Sequence, residues 1–289
     1  MKVRIGVGLG PETDPRDLPH IVDRLEAAGI DSVWLSEQVY SKAVDPFIGM
    51  AHALARTTSL KAGTSVAVLP GRHPVLVAKQ LASLAALAPK RVLPVFGLRP
   101  ARRSEWALFG VPEGRRAAVF DESLTLLRAV LNGRTDFKGE FFEVSGAHVG
   151  DAPLDIWLGG SAPAAFRRIG RYGDGWLGSF LPPADARHAR ESIEAAAAEA
   201  GREIEPDHYG LSLTLTEGGL SPQLLATARS RRPDADPADL IATSWPELHR
   251  LLDGYLAAGL TKFVVYNRGP SPRDEFLDRF ARELLPRQT

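Results

Sequence analysis

The chain has 289 residues, 44% of them hydrophobic, enough apolar material to bury one large core. Its 35 lysines and arginines balance 35 aspartates and glutamates, which removes the electrostatic argument for a nucleic-acid or anionic-membrane partner. With no cysteine there is no disulfide, no thiolate metal site and no cysteine nucleophile.

The first segment, MKVRIGVGLG, is interrupted by glycine and proline too soon for a signal peptide, and no apolar run reaches membrane-spanning length, so a cytoplasmic protein is expected. Strand-like runs begin near Val3, Asp31, Lys61 and Arg91, a recurrence of about 30 residues that fits one strand–helix unit. VRIGVGLG leads to a helix from about Pro15 to Ala28, stopped by Gly29, and DSVWLSEQ to one from about Asp45 to Thr57. Asp14 and Asp45 each precede a proline, as an N-cap precedes the first helical residue.

The third run, Ala62 to Leu69, carries β-branched Thr64, Val66 and Val68 and stops at Pro70-Gly71. His73 and Pro74 then read as N-cap and first helical residue, Val75, Ala78, Leu81, Ala82 and Ala85 keep helical spacing, and Pro89 ends the helix. The run Arg91–Gly97 follows at once. Two buried strands joined by a helix must lie parallel in one sheet.

Beyond Leu98 a short helix is expected at Ser104–Phe109 and a longer one at Arg115–Leu131, with Val119, Leu124, Leu127 and Val130 inward. Residues 139–150 alternate between glycine turns and predict a small β excursion. LDIWLGG, GWLGSF, HYGLSLTL and KFVVYN supply strands five to eight. Helices are expected at Pro163–Tyr172, Ala184–Ala200, Pro246–Ala258 and Pro272–Leu285. Residues 217–244 read as a mobile insertion with one or two short helices.

Eight strands alternating with helices predict a (β/α)₈ TIM barrel with insertions, as a single domain over residues 1–289. The rival, an open doubly wound sheet, needs a G-x-G-x-x-G loop after the first strand, and GVGLGPETDP lacks that spacing.

In such a barrel the chemistry sits where the strands end. Gly159-Gly160-Ser161, just before a helix, reads either as a phosphate cradle or as a tight turn. Glu37, flanked by Trp34 and Tyr40, reads either as an acid or base with a pKa raised by burial or as a structural carboxylate held by backbone or arginine. His73 is a helix cap or a substrate contact. Arg99, Arg102 and Arg103 are an anion site or a solvated face, and Asn267 and Arg268 stand where barrels often hold phosphate. The remaining histidines lack metal-ligand spacing and no G-x-S-x-G elbow occurs, so no metal site and no serine hydrolase are expected.

Taken together, DSVWLSEQ, LKAGTSVAVLPGRHPVLVAKQLASL, RVLPVFGL, FGVPEGRRAAVFDESLTLLR, LDIWLGGSAP and RRIGRYGDGWLGS resemble the luciferase-like monooxygenase superfamily, in its coenzyme F420-dependent oxidoreductase branch. They occur in the family's order over most of residues 1 to 180, and DEFLDRFARELLP resembles the family's closing helix. The resemblance implies a barrel whose third strand ends in a bulge with a non-prolyl cis peptide, here Ser65-Val66, supporting a deazaflavin ring. It implies that Gly159, Gly160 and Ser161 take the coenzyme phosphate, that Gly175 and Trp176 line the coenzyme site, and that Gly97 and Leu98 lie near the ring or its polar tail. Family members often carry Asp-His after the second strand, where this chain has Glu37-Gln38. Glutamine does no acid–base work at neutral pH, so Glu37 becomes the first candidate for proton transfer and His73 the second.

The expected activity is hydride transfer between F420 and a small organic substrate. The alternatives are an FMN-dependent monooxygenase served by a flavin reductase, and a non-catalytic flavin-binding barrel. A homodimer is compatible with either.

Overall fold

A computed structural model describes residues 2–150, 152 and 154–289. The wall is built from parallel strands β1 (Arg4–Leu9), β2 (Ser32–Leu35), β3 (Lys61–Thr64 and Ala67–Val68), β4 (Val92–Leu93 and Val95–Gly97), β5 (Trp157–Gly159), β6 (Gly175–Ser179), β7 (Tyr209–Leu215) and β8 (Lys262–Asn267). Helices α1 (Leu18–Ala27), α2 (Pro46–Arg56), α3 (Pro74–Leu87), α4 (Arg116–Leu131), α5 (Pro163–Tyr172), α6 (Pro183–Glu199), α7 (Pro222–Arg231), α8 (Trp245–Ala257) and α9 (Arg273–Leu284) surround it.

The hydrogen-bonded path runs from Ala67–Val68 round to Val92–Leu93, and each end is continuous along the chain with a strand already in the path. Lower β3 pairs with lower β4 (Ala62 with Val92), upper β3 with upper β4 (Val68 with Gly97), and β4 then meets β5 (Val95 with Trp157). With β8 paired to β1, the ring closes as a (β/α)₈ barrel.

Two strands expected to be continuous are broken at one level. Pro94 splits β4 because it has no N–H for the ladder, and its carbonyl accepts from Trp157 N–H at 3.0 Å. Beside it β3 breaks at Ser65-Val66. The Thr64 hydroxyl bridges the gap, donating to the Val95 carbonyl at 2.7 Å and accepting from Val95 N–H at 2.8 Å. The hydroxyl thereby satisfies both backbone groups of Val95 across the paired interruption.

The helix starts follow the sequence signals. Asp45 accepts from the amides of Phe47 and Ile48, Asp14 from Arg16 and His73 from Val75. The excursion near residues 139–150 is an antiparallel hairpin pairing Phe137–Lys138 with Glu143–Val144, outside the barrel. The 217–244 segment holds α7 and a 3₁₀ turn at Pro237–Asp239, and it also adds a short strand, Ile241–Ala242, to β7. Among the described residues no helix is long and apolar enough to cross a membrane.

The largest apolar cluster lies between wall and helices. A separate one, Trp34, Val95, Trp157, Leu177, Val264 and Tyr266, fills the barrel interior. Below it, at the N-terminal ends of the strands, Asp31 accepts from Lys61 Nζ at 2.7 Å and from the buried Lys262. Burial alone would raise the Asp31 pKa, but Lys262 and Lys61 together pull it from 3.8 down to about 2. A carboxylate depressed by folding stabilises above its unfolded value and loses that contribution as pH falls through the folded one. We therefore expect about 2 kcal/mol of wild-type stability to disappear between pH 4 and pH 2. Urea melts against pH check this: Asp31→Asn flattens that acid limb, and an unchanged limb refutes the assignment.

Candidate functional site

Alternation along each strand decides what faces the interior. Trp34, Val95, Trp157, Leu177, Val264 and Tyr266 point inward. One step further toward the C-terminal mouth on β2, β4, β5 and β6, the inward positions are therefore Ser36, Gly97, Gly159 and Ser179. Ser65 follows Gly63, whose added Cβ would meet the Trp34 ring at 2.7 Å, and Ser212 and Thr214 lie level with Val264 and Tyr266. The mouth is thus rimmed by small and hydroxyl side chains above a floor of bulky ones. Period-two alternation in SLTLT was the sequence signal for this rim, but it names no face until the register is known.

The Ser65-Val66 peptide is cis, where the family resemblance placed it. Ser65 N–H donates to the Leu35 carbonyl at 2.8 Å, and the Ser36 hydroxyl donates to the Ser65 carbonyl at 3.0 Å. The partly buried Val66 side chain packs on the interior cluster. An added Cβ would stand 2.7 Å from it on Gly97 and 2.9 Å on Gly159. Glycine at these two strand ends leaves the seat in which Val66 lies, so a ledge of Ser65, Val66, Gly97 and Gly159 forms one side of the mouth.

Beyond Gly159 the corner is open. Gly160, Ser161 and the start of α5 are exposed, and Gly160 sits at φ +133°, a region that disfavours side chains. The N-cap, Ala162, offers no side-chain acceptor, and α5 begins at Pro163, which has no amide of its own. The corner therefore keeps backbone N–H groups and the positive end of the helix dipole available to an anion, with no side chain in the way.

Trp176 and Gly175, expected to line the coenzyme site, do not face this corner. Trp176 is fully buried on the outer face of β6, edge-on to Phe166 of α5. Its indole N–H donates to the Gly160 carbonyl at 2.9 Å, so it positions the corner from behind. Gly175 begins β6 at the deep end, where an added Cβ would stand 2.3 Å from the Trp157 ring. Its smallness serves the floor.

Both proton-transfer candidates have structural partners. Glu37 is buried, and its carboxylate accepts from both Nη groups of Arg72 (2.9 and 2.5 Å) and from Val68 N–H at 2.7 Å. That matches the structural-carboxylate reading: it clasps the upper half of β3. His73 is exposed, accepts through Nδ1 from Val75 N–H at 3.3 Å, and meets the Phe142 ring edge-on. It is a helix cap.

One residue missed by the sequence, Tyr266, lies on β8. The Tyr266 hydroxyl stands 3.2 Å from Ser36 Oγ, and burial pushes its pKa up against the hydrogen bonds of Ser36 and Ser65. Asn267 shapes its own turn, accepting from Gly269 N–H at 3.0 Å. Arg99 and Arg103 lie over the Trp106 ring at 4.7 and 5.7 Å, and Arg102 donates to the Tyr40 carbonyl, so this loop packs across the rim. Among the described residues no cluster of three or more His, Cys, Asp or Glu could hold a metal ion.

The sequence model of the luciferase-like monooxygenase family matches residues 1–217. An F420-dependent glucose-6-phosphate dehydrogenase of Beutenbergia cavernae is 30% identical, over 94% of this chain and 93% of its own. Among solved structures, an F420-dependent secondary alcohol dehydrogenase in complex with an F420-acetone adduct superposes with a TM-score of 0.82 at 19% identity, covering 98% of each chain. The FMN-bound oxygenating constituent of 3,6-diketocamphane monooxygenase from Pseudomonas putida superposes at 0.77 with 17% identity, over 100% of this chain and 99% of its own. Both of these are likenesses of fold. With the family match running through every strand from β1 to β7, the chain belongs to the luciferase-like monooxygenase family and is an oxidoreductase.

Proposed function

We propose that this protein is an F420-dependent oxidoreductase that exchanges a hydride with a small organic substrate at the mouth of the barrel. The observation carrying the reading is the continuous seat from the Val66 ledge to the Gly159–Gly160 corner, where side chains on glycine would fill the space. A planar ring with an anionic tail fits a flat ledge that ends in free backbone amides. The relatives named as F420-dependent dehydrogenases favour the deazaflavin over FMN. When bound, the coenzyme would supply the hydride chemistry, and the protein supplies position, exclusion of water and proton control.

The residues divide accordingly. Gly159, Gly160 and Ser161 would take the phosphate, with Trp176 fixing the loop. Ser65, Val66 and Gly97 would support the ring from one side. With Glu37 and His73 occupied elsewhere, the Tyr266 oxygen becomes the candidate proton carrier in the mouth, linked through Ser36 to the Ser65 carbonyl. Titrating the apoprotein with F420 and with FMN tests the reading. F420 should bind at least about tenfold more tightly, a difference of about 1.4 kcal/mol. Tighter FMN binding with oxygen consumption identifies the FMN-dependent monooxygenase instead, and binding of either without turnover identifies a non-catalytic barrel.

A further inference from the structure

Most partly buried cations in the molecule face a carboxylate. Lys262 has Asp31, Arg72 has Glu37, and Arg128 and Arg202 share Asp174. Arg268 does not. Among the described residues its guanidinium makes no ion pair within 4.0 Å and no hydrogen bond, although its backbone N–H is held by the Leu215 carbonyl at 2.8 Å. A half-buried guanidinium with no carboxylate within ion-pair distance loses hydration, and the Tyr266 ring and the more distant Glu12 offset that only in part.

Its placement is defined. The inward series on β8 runs Val264, Tyr266, Arg268, and the guanidinium carbon lies 5.7 Å from the centre of the Tyr266 ring. An added Cβ on Gly10 would stand 2.5 Å from its Nη1. Glycine there leaves the arginine its berth beside the end of β1. Burial also draws its pKa below the ordinary arginine value, against the opposing pull of Tyr266 and Glu12. Beneath it, Tyr266 leads through Ser36 to the cis bulge. Going round the wall, the phosphate corner on β5 is separated from β8 by β6 and β7, with β1 opposite β5. An anion at Arg268 therefore sits across the mouth from the corner assigned to the coenzyme phosphate.

We infer that Arg268 anchors an anionic group, a carboxylate or phosphate monoester, carried by the substrate. The inference rests on the proposed oxidoreductase site and narrows its substrate class. Arginine's planar fork suits two oxygens of either anion, and the Tyr266 face holds the fork in place.

The test uses inorganic phosphate and acetate as probes on F420-loaded protein, followed by coenzyme fluorescence, for wild type, Arg268→Gln and Arg268→Lys. Thermal melts confirm that each variant is folded. Wild type should bind a probe, Arg268→Gln should bind it at least about tenfold more weakly, and Arg268→Lys should recover most of the loss. F420 affinity should stay within about twofold in all three. Equal probe affinity in wild type and Arg268→Gln, or no probe binding by wild type, overturns the inference. A tenfold loss of F420 affinity in Arg268→Gln also overturns it, because the arginine then serves the coenzyme. If wild type binds neither F420 nor FMN, the oxidoreductase reading fails separately. The same probes on apoprotein then decide for or against Arg268, since any anion at the β5 corner contributes equally to both proteins.

Discussion

Gly160→Val weakens coenzyme binding by at least about tenfold and leaves the barrel folded; that is the expected result of closing the corner after β5. Gly160 holds φ at +133°, and a Cβ there would stand 2.6 Å from the Ala165 Cβ in the first turn of α5. Valine must either push the helix start away or rotate the peptide, and either movement re-aims the amides that would grip the phosphate. The strain is local because the corner is exposed and carries none of the core, so the stability loss should stay near 1–3 kcal/mol. Equilibrium titration with F420 beside a thermal melt separates the two effects. Unchanged affinity in a normally folded variant removes the phosphate from this corner, and with it the main support for the proposed activity.

The second large effect is on stability. Glu37→Ala should cost about 3–5 kcal/mol, because it strands the half-buried Arg72 and leaves the Val68 amide without its acceptor. Glu37→Gln should be milder, since an amide oxygen still accepts from Val68 N–H. Its rate-versus-pH profile should keep both limbs of the wild type, as befits a residue that only holds β3 in place. A glutamine variant with a normal melt and a missing limb would return Glu37 to the chemistry.

Local signals in the sequence read well. Helix starts were legible because caps and prolines act over two or three residues: Asp45-Pro46 and His73-Pro74 are found as expected, and α5 has the expected bounds, Pro163–Tyr172. The strand-and-helix rhythm gave the barrel. Facing was not legible. Trp176 and Leu177 are adjacent in an apolar run, and only pairing with β5 and β7 puts the leucine inside and the tryptophan outside. A one-residue step exchanges their faces, and the sequence carries no record of it. The partner of Glu37 was hidden for a related reason. Arg72 lies 35 positions away and reaches it only once β2 and β3 are side by side. The small residues of the rim carry no apolar signal, so the open mouth was inferred from resemblance and not from composition.

Packing is distributed unequally along the barrel axis, and this has a practical consequence. The deep half carries the indoles, the branched aliphatics and the lysine–aspartate cluster, while the rim contributes mostly glycine and hydroxyl side chains. Mutational libraries drawn from the two levels should therefore return different phenotypes. Changes near Asp31 or Trp157 should appear as lost yield of folded protein, whereas changes at Ser179 or Thr214 should alter ligand preference in protein that still accumulates. The scaffold can thus be re-tooled at its upper end without renegotiating its foundations.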